Sequence, residues 1–256
     1  MNGALRGLQR AFQWALPAPP AVFHVTHHKA GSQWINRILH TLVYERMVLP
    51  EVGNTQFLNR PIEAGKVYPT LYITREQFDS VKLPAQWKRF VVIRDLRDTL
   101  VSMYFSLKHS HAVLHAKHRE RRGALSEMSV EDGLIYLIES QLPPHAQFQW
   151  SWVASGEELL KYEELLQNDE EILTRVLLRG CRLGTSSARF REAIQATRFE
   201  AWTKGRKPGE EDVTSHERKG VAGDWRNHFT DKVKKAFKGW YGSVLIATGY
   251  EKDFNW

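Results

Sequence analysis

A β-prone run that passes at once into a short basic loop and then a helical pattern limits this chain more than any other feature. Ala21–Thr26 reads A-V-F-H-V-T and the next six residues read H-H-K-A-G-S. From residue 33 to 45, apolar side chains recur at helical spacing through Trp34, Ile38, Leu39, Leu42 and Val43. Strand, tight turn and helix in that order make half of a βα unit, the arrangement from which anion sites are built. A second unit follows. Residues 90–93 are continuously apolar, as a strand covered on both faces requires. R-D-L-R-D at 94–98 makes the turn, Asp98 is placed to cap, and a helix begins over 99–107. Further helical patterns occupy about 130–142 and 169–178, the latter paired with a shorter segment, 158–166. Strands alternating with helices predict the α/β class, with a central parallel sheet flanked by helices.

Composition narrows the partners. The chain has 256 residues, 42% hydrophobic and 25% charged, which excludes a disordered or fibrous protein. A chain of this size buries about 70–75% of its unfolded surface and needs no staple. The single Cys181 excludes an internal disulfide and suits a reducing compartment, so a cytoplasmic location is expected. No apolar run approaches the ~18 residues of a membrane span, and no secretory leader pattern opens the chain. Residues 1–20 form an expected helical extension, with Leu5, Leu8, Phe12 and Leu16 on one side and P-A-P-P at 17–20 stopping it. It either packs on the main domain, 21–256, or rests on a membrane surface. Two stretches, 50–70 and 204–224, read as long loops, which in a compact domain are usually functional or mobile. A net charge of +7 points to an anionic partner: nucleic acid, phospholipid or a phosphorylated small molecule.

Taken on its physics, the first loop supplies a flexible cation in Lys29, close backbone approach at Gly31 and a hydroxyl in Ser32. It departs from the G-x-x-x-x-G-K-[ST] loop, because the lysine precedes the glycine and no Ser/Thr follows it to hold magnesium, so a nucleoside triphosphatase is disfavoured. His109, His111, His115 and His118 lie among Lys117, Arg119, Arg121 and Arg122. No cysteine or carboxylate trio completes a metal set there, so no metal is expected and a solvated basic lid is preferred. The nine tryptophans are scattered through core-like elements (Trp87, Trp150, Trp152, Trp202, Trp225, Trp240), which argues against a nucleic-acid binder that stacks bases.

Three stretches, in order, carry a resemblance. H-H-K-A-G-S-Q-W (27–34) resembles the Y-P-K-S-G-T-T-W phosphosulfate loop of cytosolic-type sulfotransferases. R-D-L-R-D-T-L-V-S (94–102) resembles their 3′-phosphate motif, and R-K-G-V-A-G-D-W-R-N-H-F-T (218–230) resembles their R-K-G-x-x-G-D-W-[KR]-x-x-F-T almost letter for letter. Tyr162 in K-Y-E-E-L and T-R-F-E at 197–200 are smaller echoes, and the whole resemblance spans residues 21–230. It implies the P-loop-like sulfotransferase fold and 3′-phosphoadenosine 5′-phosphosulfate (PAPS) as cosubstrate, with the bisphosphate PAP as product. The implied acceptor is a hydroxyl or amine of a small molecule, lipid or glycan.

The resemblance also implies roles. Lys29 would neutralise the bridging oxygen and 5′-phosphate as the S–O bond breaks. Ala30, Gly31, Ser32 and Gln33 would hold that phosphate. Arg94, Ser102, Arg218, Lys219 and the Gly220 amide would clamp the 3′-phosphate. Trp34 and Phe199 would sandwich the adenine, with Thr197 and Tyr162 beside it. The departures are His28 for the usual proline, Ser32 and Gln33 for two threonines, and V-Y-P-T-L-Y-I-T at 67–74 where the family carries K-T-H-x-P and its general-base histidine. His27, His28, Glu63, Tyr72 and the histidines of 109–118 are the substitutes, with His28 ranked first for its adjacency to Lys29 and an imidazole's near-neutral pKa. A relative that binds PAP or PAPS without catalysis is the alternative. The basic segment 109–122 suggests an anionic or membrane-borne acceptor. Arg226, Thr230, Asp231 and Lys235 reverse the chemistry of the family's dimer patch, so that dimer is not expected.

Overall fold

Six consecutive buried residues make β1, Ala21–Thr26, the inner strand around which the rest is laid. In the computed structural model, which describes residues 18–112 and 116–256, four parallel strands run in the order β2-β1-β3-β4. β2 is Val67–Leu71, β3 is Trp87–Ile93 and β4 is Leu159–Lys161. The expected helix at 1–20 falls on residues that, up to 17, lie outside the described ones.

Side chains alternate across the sheet as strand geometry demands. Val22, Phe90 and Val92 face one core, with α1 (Ser32–Val43) and its Ile35, Ile38 and Leu39. Phe23, Val25, Val91 and Ile93 face another. That second core is closed by α2 (Thr55–Leu58) and α3 (Arg75–Asp79) through Phe57 and Phe78. Inner β1 even buries His24, stacked on Phe90 with centroids 4.9 Å apart, and burial pushes its pKa down to about 3.

Helices complete both layers. α4 (Leu96–Phe105) follows β3, and after a π-helical turn at Ser106–Ser110 come α5 (Ala116–Glu127), α6 (Val130–Ser140) and α7 (Pro143–Val153). α8 (Tyr162–Leu173) follows β4 and leads through α9 (Ser187–Thr197) and the short α10 (Phe199–Trp202) to α11 (Asp231–Ala247). A third cluster, built on Leu100, Leu134, Leu137, Phe237 and Leu245, joins α4, α6 and α11 beside the sheet. The α/β expectation is met.

Three local expectations need correction. Residues 50–70, read as one loop, end in strand β2. Pro69 hid it, because proline removes a ladder donor, and the strand survives because it sits at the sheet's edge. The shorter segment read at 158–166 opens with strand β4 before its helix starts at Tyr162; that helix breaks at Asn168 (φ −135°, ψ 43°), just ahead of the helix expected at 169–178, which from Thr174 to Gly180 widens into π-helical turns. The cap of α4 is Asp95, whose carboxylate accepts the Arg97 N–H at 2.8 Å, and the helix starts at Leu96. Asp98 lies inside the helix because its carboxylate is committed elsewhere.

Candidate functional site

The turn after β1 is built from left-handed backbone. Lys29 (φ 68°) and Gly31 (φ 79°) both adopt it, and a Cβ on Gly31 would stand 2.6 Å from the Tyr162 ring, so only glycine fits. α1 starts at the next residue and brings Ser32, Gln33 and Trp34 to the rim of a cleft of about 360 Å³.

His27 pins this turn in place. Its Nδ1 lies 2.9 Å from the His28 carbonyl oxygen, which only accepts, so Nδ1 carries the proton. Nε2 then accepts from the Arg94 N–H at 3.3 Å and from the Gln149 amide at 3.0 Å, and that amide also donates to the Arg94 carbonyl at 2.6 Å. Burial, with His145 nearby, holds this imidazole well below 6.5. Both nitrogens are used. His27 is therefore a strut between the loop and the end of β3, and no lone pair remains for proton transfer.

Arg94 enters the cleft from the end of β3. Its guanidinium donates to the carbonyls of Lys29 (3.1 Å) and Val221 (3.3 Å), lies over the Tyr162 ring at 4.7 Å, and leaves Nε buried without a partner among the described residues. Asp98, one turn on, accepts the N–H groups of Gly223 (2.6 Å) and Trp225 (2.9 Å), which ties the second motif to the third. Within the third, Asp224 gathers Arg218, Lys219 (2.6 Å), Asn227 (2.9 Å) and His228 (3.3 Å). Burial raises this carboxyl, but those four donors more than reverse it and hold it far below the usual range. Arg218 also pairs with Glu211. Gly220, at φ 65°, presses its backbone on Phe199, where a Cβ would come within 2.4 Å of the ring.

The cleft thus collects Lys29, Arg94, Arg218 and Lys219 from three distant stretches. Burial and the repulsion of Arg94 and Arg218 pull the Lys29 ammonium down to about 8, against the opposing pull of Glu217. Although Asp224 and Glu211 back Arg218 and Lys219 from behind, the lining itself carries more cations than its one carboxylate, Glu217, can offset, the electrostatic shape of a polyanion site.

His28, Lys29, Gly31, Ser32, Gln33, Trp34, Arg94, Ser102, Tyr162, Phe199, Arg218, Lys219 and Gly220 all line this one cleft. Two expected residues do not. Ala30 is fully buried, and Thr197 turns its hydroxyl onto its own helix, donating to the carbonyls of Ala193 and Ile194. Of the substitute bases, His28, Tyr72 and His111 reach the cleft, whereas exposed Glu63 does not line it and His115 lies outside the described residues. His111 instead also packs edge to face on His118, and among the described residues no three His, Cys, Asp or Glu are grouped to hold a metal. Sequence reasoning missed Arg37, His216 and Glu217, which line the same cleft. The signal for Arg37 was its helical i, i+4 spacing from Gln33. Arg37 and Glu217 form an ion pair, with Arg37 4.0 Å over Trp202.

A comparison with protein-family models matches the sulfotransferase domain over residues 19–249. Among solved structures the chain is similar to mouse sulfotransferase SULT7A1 complexed with PAP: TM-score 0.60, 18% identity, covering 90% of this chain and 88% of that one. It is also similar to retinol dehydratase in a complex with retinol and PAP, at TM-score 0.51 and 17% identity, covering 89% and 81%. A comparison with curated protein sequences finds no match.

Proposed function

The chain belongs to the sulfotransferase family, and from that premise we propose that it moves a sulfuryl group from PAPS to a hydroxyl or amine of an acceptor by in-line displacement. One observation carries the reading: four cationic side chains from three distant motifs converge on a single cleft, together with a helix N-terminus and a glycine turn. The fit to a bisphosphorylated nucleotide is supported by the orphaned Arg94 Nε and by the flat cradle that Gly220 makes with Phe199. The lone buried thiol, Cys181, agrees with a cytoplasmic setting.

Each residue then has a physical task. Ser32, Gln33 and the start of α1 bind the 5′-phosphate, while Arg94, Ser102, Arg218 and Lys219 bind the 3′-phosphate with charge-assisted hydrogen bonds. Trp34 and Phe199 hold the adenine. As the new O–S bond forms and the bridging S–O bond breaks, the departing oxygen keeps the electron pair, and Lys29 meets that growing charge. The acceptor's proton goes to His28. This ring is open to the cleft, yet the surrounding walls strip part of its water and Lys29 is adjacent, so its pKa falls to about 4 and it is neutral at pH 7. Tyr72 is the poorer base, because burial raises its phenol above 10.

The acceptor mouth is basic. His111 faces the cleft, and α5 behind it carries Lys117, Arg119, Arg121 and Arg122, which favours an acceptor with an acidic group. Calorimetry with PAP, paired with radiolabelled transfer to a panel of hydroxyl and amine acceptors, tests the function. Submicromolar to micromolar PAP binding with transfer supports it; indifference of folded protein to PAP refutes it, and tight binding with no transfer leaves a non-catalytic nucleotide binder. Acceptor KM that rises as salt is added supports the acidic class, and a salt-independent KM argues against it.

A further inference from the structure

The family's histidine is missing from residues 67–74, and the His28 ring that lines the cleft has two ring neighbours, Tyr72 and His145. His28 sits against Tyr72 with centroids 3.7 Å apart, and His145 lies 6.0 Å from His28 at 59°. Tyr72 is fixed at both ends. The Asn54 side chain accepts its N–H at 3.0 Å and donates to its carbonyl at 3.2 Å, and its hydroxyl is 3.0 Å from Ser32 Oγ. One face of His28 is thereby held by a ring that moves only if three hydrogen bonds break.

His145, the third residue of α7, is 9% exposed. Its Nδ1 lies 3.1 Å from the carbonyl oxygen of Gln141, so Nδ1 carries the proton and Nε2 is a bare lone pair on the neutral ring. That Nε2 is buried without a hydrogen-bond partner among the described residues. Of the two histidines against it, His27 (centroids 5.6 Å apart) has both nitrogens engaged, which leaves His28.

We propose that His145 is the positioning residue of His28: its Nε2 accepts the N–H of one His28 nitrogen, so that the other turns its lone pair to the cleft beside Lys29. The inference rests on the sulfuryl-transfer reading above. A rotamer adjustment or one bridging water closes the present gap, as is usual for catalytic contacts in ligand-free sites. During transfer the acceptor's proton passes to His28, the acceptor oxygen bonds sulfur, and the bridging oxygen leaves with the S–O electron pair. His145 receives a hydrogen bond, not the proton. An uncharged orienting group suits this site, since a carboxylate in its place would neutralise Lys29 and weaken the hold on a polyanion. The titratable groups facing the pair are Lys29, Tyr72 and His111 around His28, and His27 at His145. Burial draws both imidazoles down to about 4, consistent with neutral rings at pH 7.

The test is a kinetic cycle on the full chain, with calorimetric PAP binding as the check on folding. His28→Ala should lower kcat about 100-fold. His145→Phe should lower it about tenfold, with PAP affinity and acceptor KM within about twofold and the acid limb of the kcat profile moved to lower pH. His145→Gln, whose Oε1 replaces the Nε2 lone pair, should recover most of the rate. The double variant should be no slower than His28→Ala alone. Wild-type kcat in His145→Phe, or a further tenfold loss in the double variant, overturns the proposal while leaving sulfuryl transfer intact. A wild-type chain that binds PAP and transfers nothing overturns both.

Discussion

Arg94 and Arg97 stand three residues apart in one turn, and their surroundings could hardly differ more. Arg97 is fully answered: Asp95 takes its fork through both carboxylate oxygens, Glu251 takes another N–H at 2.5 Å, and the guanidinium sits in the corner where Trp225 (4.0 Å) and Trp256 (4.5 Å) meet edge to face. Arg94 gets two carbonyls, a tyrosine face and a carboxylate only at 3.9 Å, and its Nε has no partner among the described residues. Arg97, its charge matched on every side and shut away from the cleft, is a structural rivet. An arginine held by dipoles and left short of an anion is poised for a ligand. The identical residue type in one motif thus serves two ends, and the partners, not the sequence letter, decide which.

Among single substitutions, breaking the rivet should give the largest effect on stability. Arg97→Ala leaves Asp95 buried and unpaired, so unfolding free energy should drop by about 3–5 kcal/mol; a denaturant titration reads this, and a drop under 1 kcal/mol would erase the distinction drawn here. On the ligand side, Lys29→Ala should cut turnover about 10²–10³-fold with little change in melting temperature. Because the free ammonium titrates near 8, PAP affinity should also fall as pH rises through 8 to 9, and Lys29→Arg should remove that dependence. Arg94→Ala should weaken PAP about 10- to 150-fold by calorimetry, while stability moves far less than in Arg97→Ala.

The histidines beneath the loop extend the contrast to acid. Burial pulls His24 down to about 3, His145 to about 4 and His27 well below 6.5. The unfolded chain therefore binds more protons below 6.5, and stability is lost as pH falls from there. About 2 kcal/mol per histidine should go between pH 7 and 5, visible as a lower urea midpoint. The smallest effect is expected from Gly220→Ala, which strains a φ of 65° and crowds Phe199: PAP affinity should fall up to about tenfold and stability by about 1 kcal/mol.

How much of this was legible in the letters depends on what each residue answers to. β1 and β3 were readable because buried inner strands must be continuously apolar, and the cleft's cations were readable because they occupy spaced motifs. β2 was not, since an edge strand tolerates Pro69 and so loses the pattern that would reveal it. Asp95 and Asp98 are both good caps by type, and only the approach of Gly223 and Trp225 from 125 or more positions away decides between them. Thr197 looked like a nucleotide contact by its place near Phe199, but a helical threonine readily bonds its own preceding turn. His145 had no motif around it; its meaning lies in an unfilled lone pair, which is a property of packing.

The clasp that Asp98 makes on two amides of the third motif has a practical reach. It makes the helix after β3 and the third motif one unit, and the segment 204–217 is bound into that unit in turn, through Glu211 on Arg218 and the Arg206 guanidinium on the carbonyls of Glu217 and Arg218. Anyone wishing to retarget this scaffold should therefore keep 204–217 together with the clasp and not exchange it as a separate module.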